Sequence, residues 1–178
     1  MTRRFPSRIP SLSPSRSSPS RSAWRSATDE STFFVEATPG LASAIDVQLE
    51  QRLDGFGQDG WTPAQWDQLI RASSFAEIAV RDCKPVCIAG FSEPWPGLAI
   101  AWASVSPDAG AAMVPITRRI CRAMELHPRA RRFQMTVRVG FLPGHRWARL
   151  LGFRAEATMA RYAPDGSDHV LYARTFRR

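Results

Sequence analysis

The sequence has 178 residues, of which 44% are hydrophobic and 22% charged, as expected for one globular domain with a sizeable core. No window approaches the roughly 20 apolar residues that cross a membrane. The N-terminus also lacks the apolar segment of a secretory signal. The three cysteines are an odd number without metal-ligand spacing, which favours buried or idle thiols in a reducing compartment over a zinc site.

The net charge of +8 is concentrated at the N-terminus. Residues 1–28 contain six arginines and no acidic residue, so residues 29–178 carry 18 basic minus 16 acidic groups, or +2. We expect residues 1–31 to form a flexible Arg/Ser/Pro-rich arm, because so few apolar groups cannot offset the entropy of ordering. Its role is open between a solvated tail, an organelle transit peptide and an arm that docks on an acidic partner or nucleic acid. The docking residues would be Arg3, Arg4, Arg8, Arg16, Arg21 and Arg25.

Residues 32–178 have the periodicity of one domain. TFFVEA predicts a strand, and residues 38–53 predict one helix with an apolar stripe at spacing four: Leu41, Ile45, Leu49 and Leu53. Thr62 and Pro63 begin a second predicted helix as its cap and its first residue. Three predicted strands follow, the first two joined by a hairpin turn at the sequence DCK.

The second half alternates helices and strands. Ser106 and Pro107 begin a predicted helix, in which Pro115 either introduces a kink or marks the real start. A strand, a short helix and two further strands complete the chain. A helix between neighbouring strands indicates parallel pairing, so the element order predicts a mixed, mostly antiparallel α/β sheet with helices on both faces.

The short helix in FLPGHRWARLLGF ends abruptly for a physical reason. Pro143 suits the first turn, and three apolar residues are predicted to share one face: Trp147, Leu150 and Leu151. Gly152 accepts the left-handed conformation that ends a helix, and Phe153 then folds back beneath it. This arrangement predicts a short helix packed beside a sheet that is split open.

This element order, with Leu-Gly-Phe before the penultimate strand, resembles the GCN5-related N-acetyltransferase (GNAT) superfamily over residues 32–178. The pattern over residues 143–174 is most similar to acetyltransferase-like proteins encoded by tailed bacteriophages. The resemblance implies a split GNAT sheet, acetyl-CoA as cofactor and N-acyl transfer. It also implies a location in the host-cell cytoplasm or a virion.

The resemblance implies that the cofactor lies where the central helix begins. The residues at the matching positions there are Val105, Ser106, Ala109, Gly110 and Ala111, and Arg146 on the short helix is also expected to bind the cofactor. The stretch SPDAGAAM lacks the family's leading Arg or Gln and its second glycine. Asp108 adds a carboxylate there, which fits either a helix-capping acid or a degraded phosphate loop.

The proton-transfer groups also depart from the family. Ala148 stands where the family often has a tyrosine on the short helix, which leaves His145 and Tyr162 as the candidate catalytic residues. Two functions therefore stay open: an acetyl-CoA-dependent N-acyltransferase, or an inactive GNAT-fold component of a phage particle or its assembly that docks through its basic arm.

Overall fold

A computed structural model of the chain describes residues 32–53 and 60–177, so the predicted arm over residues 1–31 lies outside the described residues. In the described part the strands are β1 (Thr32–Glu36), β2 (Ser73–Arg81), β3 (Lys84–Trp95), β4 (Leu98–Val105), β5 (Arg132–Arg138), β6 (Arg154–Met159) and β7 (His169–Thr175). The α-helices are α1 (Pro39–Ser43), α2 (Leu49–Leu53), α3 (Pro63–Arg71), α4 (Met113–Leu126) and α5 (Leu142–Leu150). None of these helices is long and apolar enough to span a membrane.

The strands form one mixed sheet in the order β1-β2-β3-β4-β5-β7-β6. Neighbouring strands are antiparallel except β4 and β5, which are parallel and are connected through α4. The hairpin between β2 and β3 turns at Asp82 and Cys83, both in the left-handed region. The predicted mixed, mostly antiparallel sheet is confirmed.

The sheet splits between β4 and β5. These strands pair over only three residues, from Leu98 with Arg132 to Ile100 with Gln134. Beyond that point β4 continues along β3 as far as Val105, and β5 continues along β7 as far as Arg138. The split therefore opens toward the C-terminal end of β4, the end from which the chain leads to α4.

Each face of the sheet carries its own core. On one face, α4 packs Ile116, Ile120 and Met124 against the sheet, and Phe153 belongs to the same cluster. On the other face, α1 and α3 pack around Trp66. Helices thus lie on both faces, and the split in the sheet opens between two packed layers.

The single helix predicted over residues 38–53 is wrong. The chain forms two short helices instead, and Leu49 is 67% exposed, so the apolar stripe does not continue. The link between them leaves helical geometry where the backbone N–H of Gln48 donates to the carbonyl of Val105 at 3.1 Å. This long-range hydrogen bond outweighs the local helical periodicity, and it brings α2 to the end of β4.

The helix predicted from Ser106 has two parts. A 3-10 segment, Pro107–Ala112, precedes α4, and Pro115 lies buried in the first turn of α4. Of the two alternatives for this proline, it marks the start of the α-helix. Proline is tolerated there because the first N–H groups of a helix have no partner within it.

The short helix α5 ends as predicted, but its buried face differs from the prediction. Gly152 has a φ of 83°, and the N–H of Phe153 donates to the carbonyl of Ala148 at 3.0 Å. Leu150 is 73% exposed, so it does not share a buried face with Leu151. The residues of α5 that are buried are Gly144, His145 and Ala148.

An aromatic cluster fixes the closed end of the split. Phe133 on β5 is fully buried, and its ring makes edge contacts with Phe91 at 5.0 Å and Phe176 at 5.6 Å between centroids.

We expect Phe133→Ala to lower the free energy of unfolding by about 3–5 kcal/mol, because it removes a large buried ring and leaves a cavity. Denaturant unfolding measures this. Phe33→Ala, at a ring 53% exposed, is the control and should cost less than about 1 kcal/mol; equal losses in both variants would contradict the packing described.

Candidate functional site

A cleft of about 720 Å³ follows the split. Its walls come from β4, β5 and β7, from α3, and from the connection between β6 and β7. The apolar part of the lining combines aliphatic side chains with aromatic rings, among them Trp61, Trp66 and Trp102. None of the described lining residues carries a charged side chain, so the cleft offers aromatic faces and neutral hydrogen-bonding groups.

The position of Trp102 depends on a glycine. A Cβ at Gly90 would lie 2.3 Å from the Trp102 ring and 2.6 Å from the backbone oxygen of Phe75, so only glycine lets the ring lie against β3. The Trp102 indole N–H donates to the Ser73 hydroxyl at 3.1 Å. Packing and a hydrogen bond therefore fix this ring on the wall of the cleft.

The edge of β4 that faces the split carries a side chain from α2. The Gln51 carboxamide donates to the carbonyl of Ala103 at 2.9 Å and accepts from the N–H of Val105 at 2.9 Å. Because the N–H and C=O of one strand residue point to the same side, the backbone groups of both β4 residues face the split. Val105, a predicted cofactor-binding residue, is therefore at the split, with its N–H bonded to Gln51.

The other predicted cofactor-binding residues beyond β4 lie together on the 3-10 segment. The buried Ser106 hydroxyl caps it by accepting from the N–H of Asp108 at 3.1 Å. Ala109 is buried, Ala111 is exposed, and Gly110 has φ 45° and ψ −120°, which a residue with a side chain adopts only under strain. This short segment turns sharply at the open end of the split.

An arginine that the sequence reasoning did not select lies beside this turn. The Arg81 guanidinium donates from Nη1 to the carbonyl of Ala109 at 3.4 Å, and a Cβ at Gly110 would lie 3.2 Å from the same nitrogen. Arg81 thus supplies a positive charge beside the turn at Ala109 and Gly110. Arg146, another predicted cofactor-binding residue, is exposed on α5.

His145 lies in the core, away from the cleft lining. Its Nε2 is 2.9 Å from the carbonyl of Val139 and its Nδ1 is 2.9 Å from the hydroxyl of Tyr172, which is 2% exposed. A carbonyl can only accept, so Nε2 carries the proton and the Nδ1 of the neutral ring accepts from Tyr172. Both nitrogens are occupied, and this geometry favours a structural role for His145 over a catalytic one.

Tyr162 lies on the cleft wall next to a histidine that sequence reasoning missed. The Tyr162 and His169 rings are 5.3 Å apart between centroids, and both residues line the cleft. Tyr162 is 54% exposed, whereas His169 on β7 is buried. These two residues are the described titratable side chains in the cleft lining.

The connection that carries Tyr162 is tied to β5. Arg138 donates to the Asp165 carboxylate at 2.8 Å, and the N–H of Ser167 donates to its other oxygen at 3.0 Å. The hydrogen bond from Arg138, followed by those from Ser167, holds the pKa of Asp165 well below its usual range. The charged carboxylate therefore fixes this side of the cleft.

Two helices flank the open end of the split on the opposite face. The Trp147 indole N–H on α5 donates to the Thr117 hydroxyl on α4 at 2.9 Å, and that hydroxyl donates to the carbonyl of Met113 at 2.6 Å. This link joins the helix after β4 to the helix after β5. It holds the two helices at a fixed separation, which helps to keep the strands apart.

The cysteines play no part in this site. Cys83, Cys87 and Cys121 are free thiols, and burial raises the pKa of Cys87 to about 12, so this thiol stays protonated. Among the residues of the described ranges, no group of three or more His, Cys, Asp or Glu is placed to hold a metal ion.

No family model and no curated protein sequence matches the chain. Solved structures do match. A GNAT-family acetyltransferase from Streptococcus pneumoniae has a TM-score of 0.63 at 15% identity, covering 82% of this chain and 99% of that one. The ribosomal-protein-S18-alanine N-acetyltransferase from Escherichia coli has 0.63 at 16% identity (83% and 95%). The protein yncA from Salmonella typhimurium, with its cofactor acetyl-CoA, has 0.64 at 11% identity (83% and 95%). The chain therefore has the GNAT fold predicted from its sequence.

The His145–Tyr172 contact predicts a stability effect. Tyr172→Phe leaves the buried Nδ1 of His145 without its donor, and we expect a loss of about 1–3 kcal/mol in the free energy of unfolding. Urea unfolding measures it. Tyr162→Phe, the same change at an exposed ring, serves as the control and should leave stability nearly unchanged. An unaltered midpoint for Tyr172→Phe would show that this hydrogen bond contributes nothing.

Proposed function

We propose that the protein is an acyl-CoA-dependent N-acyltransferase, with acetyl-CoA as the acyl donor. The observation that carries the proposal is the split between β4 and β5, which leaves the backbone of Ala103 and Val105 facing the split, beside a cleft lined in part by aromatic rings. An extended ligand with amide groups can pair with such a strand edge. The pantetheine arm of coenzyme A is a ligand of this kind.

The residues beyond β4 fit the phosphate end of the cofactor. At Gly110 the described neighbour of an added Cβ is the Arg81 guanidinium, which a phosphate can approach favourably. Gly110 keeps the backbone accessible at the turn. The Asp108 carboxylate repels a phosphate, so we assign the attraction of the cofactor phosphates to the Arg81 guanidinium. Ser106 stabilises the segment through its cap and is not needed as a direct ligand.

When bound, acetyl-CoA would supply an activated acyl thioester. We assign three roles to the described residues: orienting the donor, excluding water and transferring protons. The edge of β4 orients the donor along the split. Trp102 and Trp66 exclude water from the face where the acceptor enters. An amine must lose a proton and a thiolate must gain one. The exposed Tyr162 hydroxyl is the candidate for this step: it would give its proton to the thiolate and regain one from the amine. The ring nitrogens of His169 are buried, so we assign His169 to positioning Tyr162.

The described cleft walls indicate the kind of acceptor. An acceptor with several positive charges would need carboxylates in the cleft to bind it, and the described lining contains no Asp or Glu. Aromatic rings favour an apolar or aromatic group on the acceptor, and their faces also attract an ammonium group before it loses its proton. We therefore propose a primary amine attached to an aromatic or bulky apolar group.

The second candidate is a binding component of a phage particle or its assembly, without catalysis. It is favoured by Gln51, which occupies the β4 edge, and by Asp108 at the phosphate end. The phage connection itself rests on the sequence similarity over residues 143–174. Mass spectrometry of purified virions and assembly intermediates tests it, and absence of the protein from both would remove this candidate.

Cofactor binding is measured by thermal unfolding with acetyl-CoA. A ligand at 100 times its Kd stabilises by about 2.7 kcal/mol, so we expect the Tm to rise by about 5 to 10 °C. Arg81→Gln keeps a similar size without the charge and should weaken the effect. The control is Arg71→Gln, an arginine on the exposed surface of α3. No rise in Tm at millimolar acetyl-CoA would overturn the enzymatic proposal.

Acceptor selectivity is measured by release of free CoA thiol. Phenethylamine should react with a higher kcat/KM than spermidine. Trp102→Ala should lower kcat/KM for phenethylamine about tenfold or more, because the ligand loses an aromatic contact surface. Activity restricted to spermidine, or an equal loss for both amines, would contradict the assigned acceptor class.

A further inference from the structure

The Gln51 carboxamide completes a strand-like pairing on β4. It donates to the carbonyl of Ala103 and accepts from the N–H of Val105, two residues further along. This is how one residue of a parallel neighbour bonds to a strand. β5 plays that role for Leu98 to Ile100 and then diverges. Gln51 therefore continues the pairing of β4 beyond the point where the sheet splits.

The surrounding backbone holds Gln51 in place. The N–H of Gln48 donates to the carbonyl of Val105 at 3.1 Å, so the chain before α2 also lies against β4. Arg52 donates from Nε to the carbonyl of Val47 at 2.7 Å and pairs with the Asp46 carboxylate. The loop before α2 is thus braced by its own side chains, while the contacts of Gln51 itself are made by one rotatable side chain.

We propose that Gln51 is a built-in competitor of the acyl carrier. Its carboxamide occupies the place on β4 where an amide of the pantetheine arm would pair, so the cofactor binds only when Gln51 releases Ala103 and Val105. This inference rests on the proposed function. The two ligands present the same chemistry, an N–H beside a C=O, and a strand edge pairs with one such group at a time.

Displacement of Gln51 is local. Rotation of the side chain gives up two hydrogen bonds and leaves the Gln48 contact with Val105 intact. The two β4 groups would otherwise face a part-buried cleft without a protein partner, so the unliganded protein gains from keeping Gln51 on the edge. The free energy that these two hydrogen bonds contribute to the unliganded protein is subtracted from the free energy of cofactor binding.

Isothermal titration with CoA tests the proposal on the full chain. The Kd of Gln51→Ala should be about tenfold lower than that of the unaltered protein, since two hydrogen bonds need no longer be broken. Gln48→Ala is the matched control, because Gln48 contacts β4 through its backbone, and its Kd should not change. Equal Kd values for Gln51→Ala and the unaltered protein would overturn the competition. Absence of binding in every variant would instead overturn the proposed function, and with it this inference.

A second measurement does not depend on cofactor. Amide hydrogen exchange at Val105, followed by NMR without ligand, should be slow in the unaltered protein and in Gln48→Ala, and faster in Gln51→Ala. Gln51→Glu keeps the shape and can still accept from Val105 but cannot donate to Ala103, so it serves if the alanine variant does not fold. Its Kd for CoA should be lower than that of the unaltered protein, because one of the two competing hydrogen bonds is lost. Unchanged exchange at Val105 in Gln51→Ala would show that the side chain does not close the edge.

Discussion

The divergence of β4 and β5 after three paired residues is the constraint on which the rest of the structure depends. β5 is paired along its whole length with β7 and follows that strand away from β4, and the Phe133 cluster lies where the two strands diverge. α4 and α5 are joined at Trp147 and Thr117, which holds the open end apart. A strand edge left this way has polar groups that must find partners.

The other features of the site lie around the open edge of β4. Gln51 satisfies part of it from the protein itself, and the 3-10 segment at the end of β4 turns with Gly110 beside Arg81. The face opposite α4 is lined by tryptophans, among them Trp102, whose place is made by Gly90. The same opening therefore combines a place for an extended amide, a positive charge at one end and an aromatic wall. This combination supports acyl transfer to an amine better than a purely structural role.

The sequence predicted the fold well because local rules agree with the tertiary structure. Pro63 and Gly152 have the effects expected of them, the three strands predicted after the second helix form β2, β3 and β4, and Pro115 marks the start of α4. The helix over residues 38–53 was wrong because a hydrogen bond from Gln48 to Val105, 57 positions away in the chain, interrupts it. The prediction that Leu150 lies on the buried face of α5 was wrong, because Gly144, His145 and Ala148 form that face.

The site was predictable only in part. The segment from Val105 to Ala111 could be placed because a strand, a cap and a glycine mark it, whereas Gln51, Arg81 and His169 carry no local signal. Their positions depend on how the strands pair. Arg81 is the last residue of β2 and lies beside the turn at Ala109, and His169 is the first residue of β7 and pairs with Arg138 of β5. His145 had the right chemistry but faces the core.

The most direct test of the central claim, that the split sheet is an acyl-CoA site, is chemical-shift mapping of the isotopically labelled protein with CoA. The account predicts that the largest shifts fall on the amides of Ala103, Val105 and Gly110, with little change at β1. Shifts confined to other surfaces, or none at saturating CoA, would contradict it.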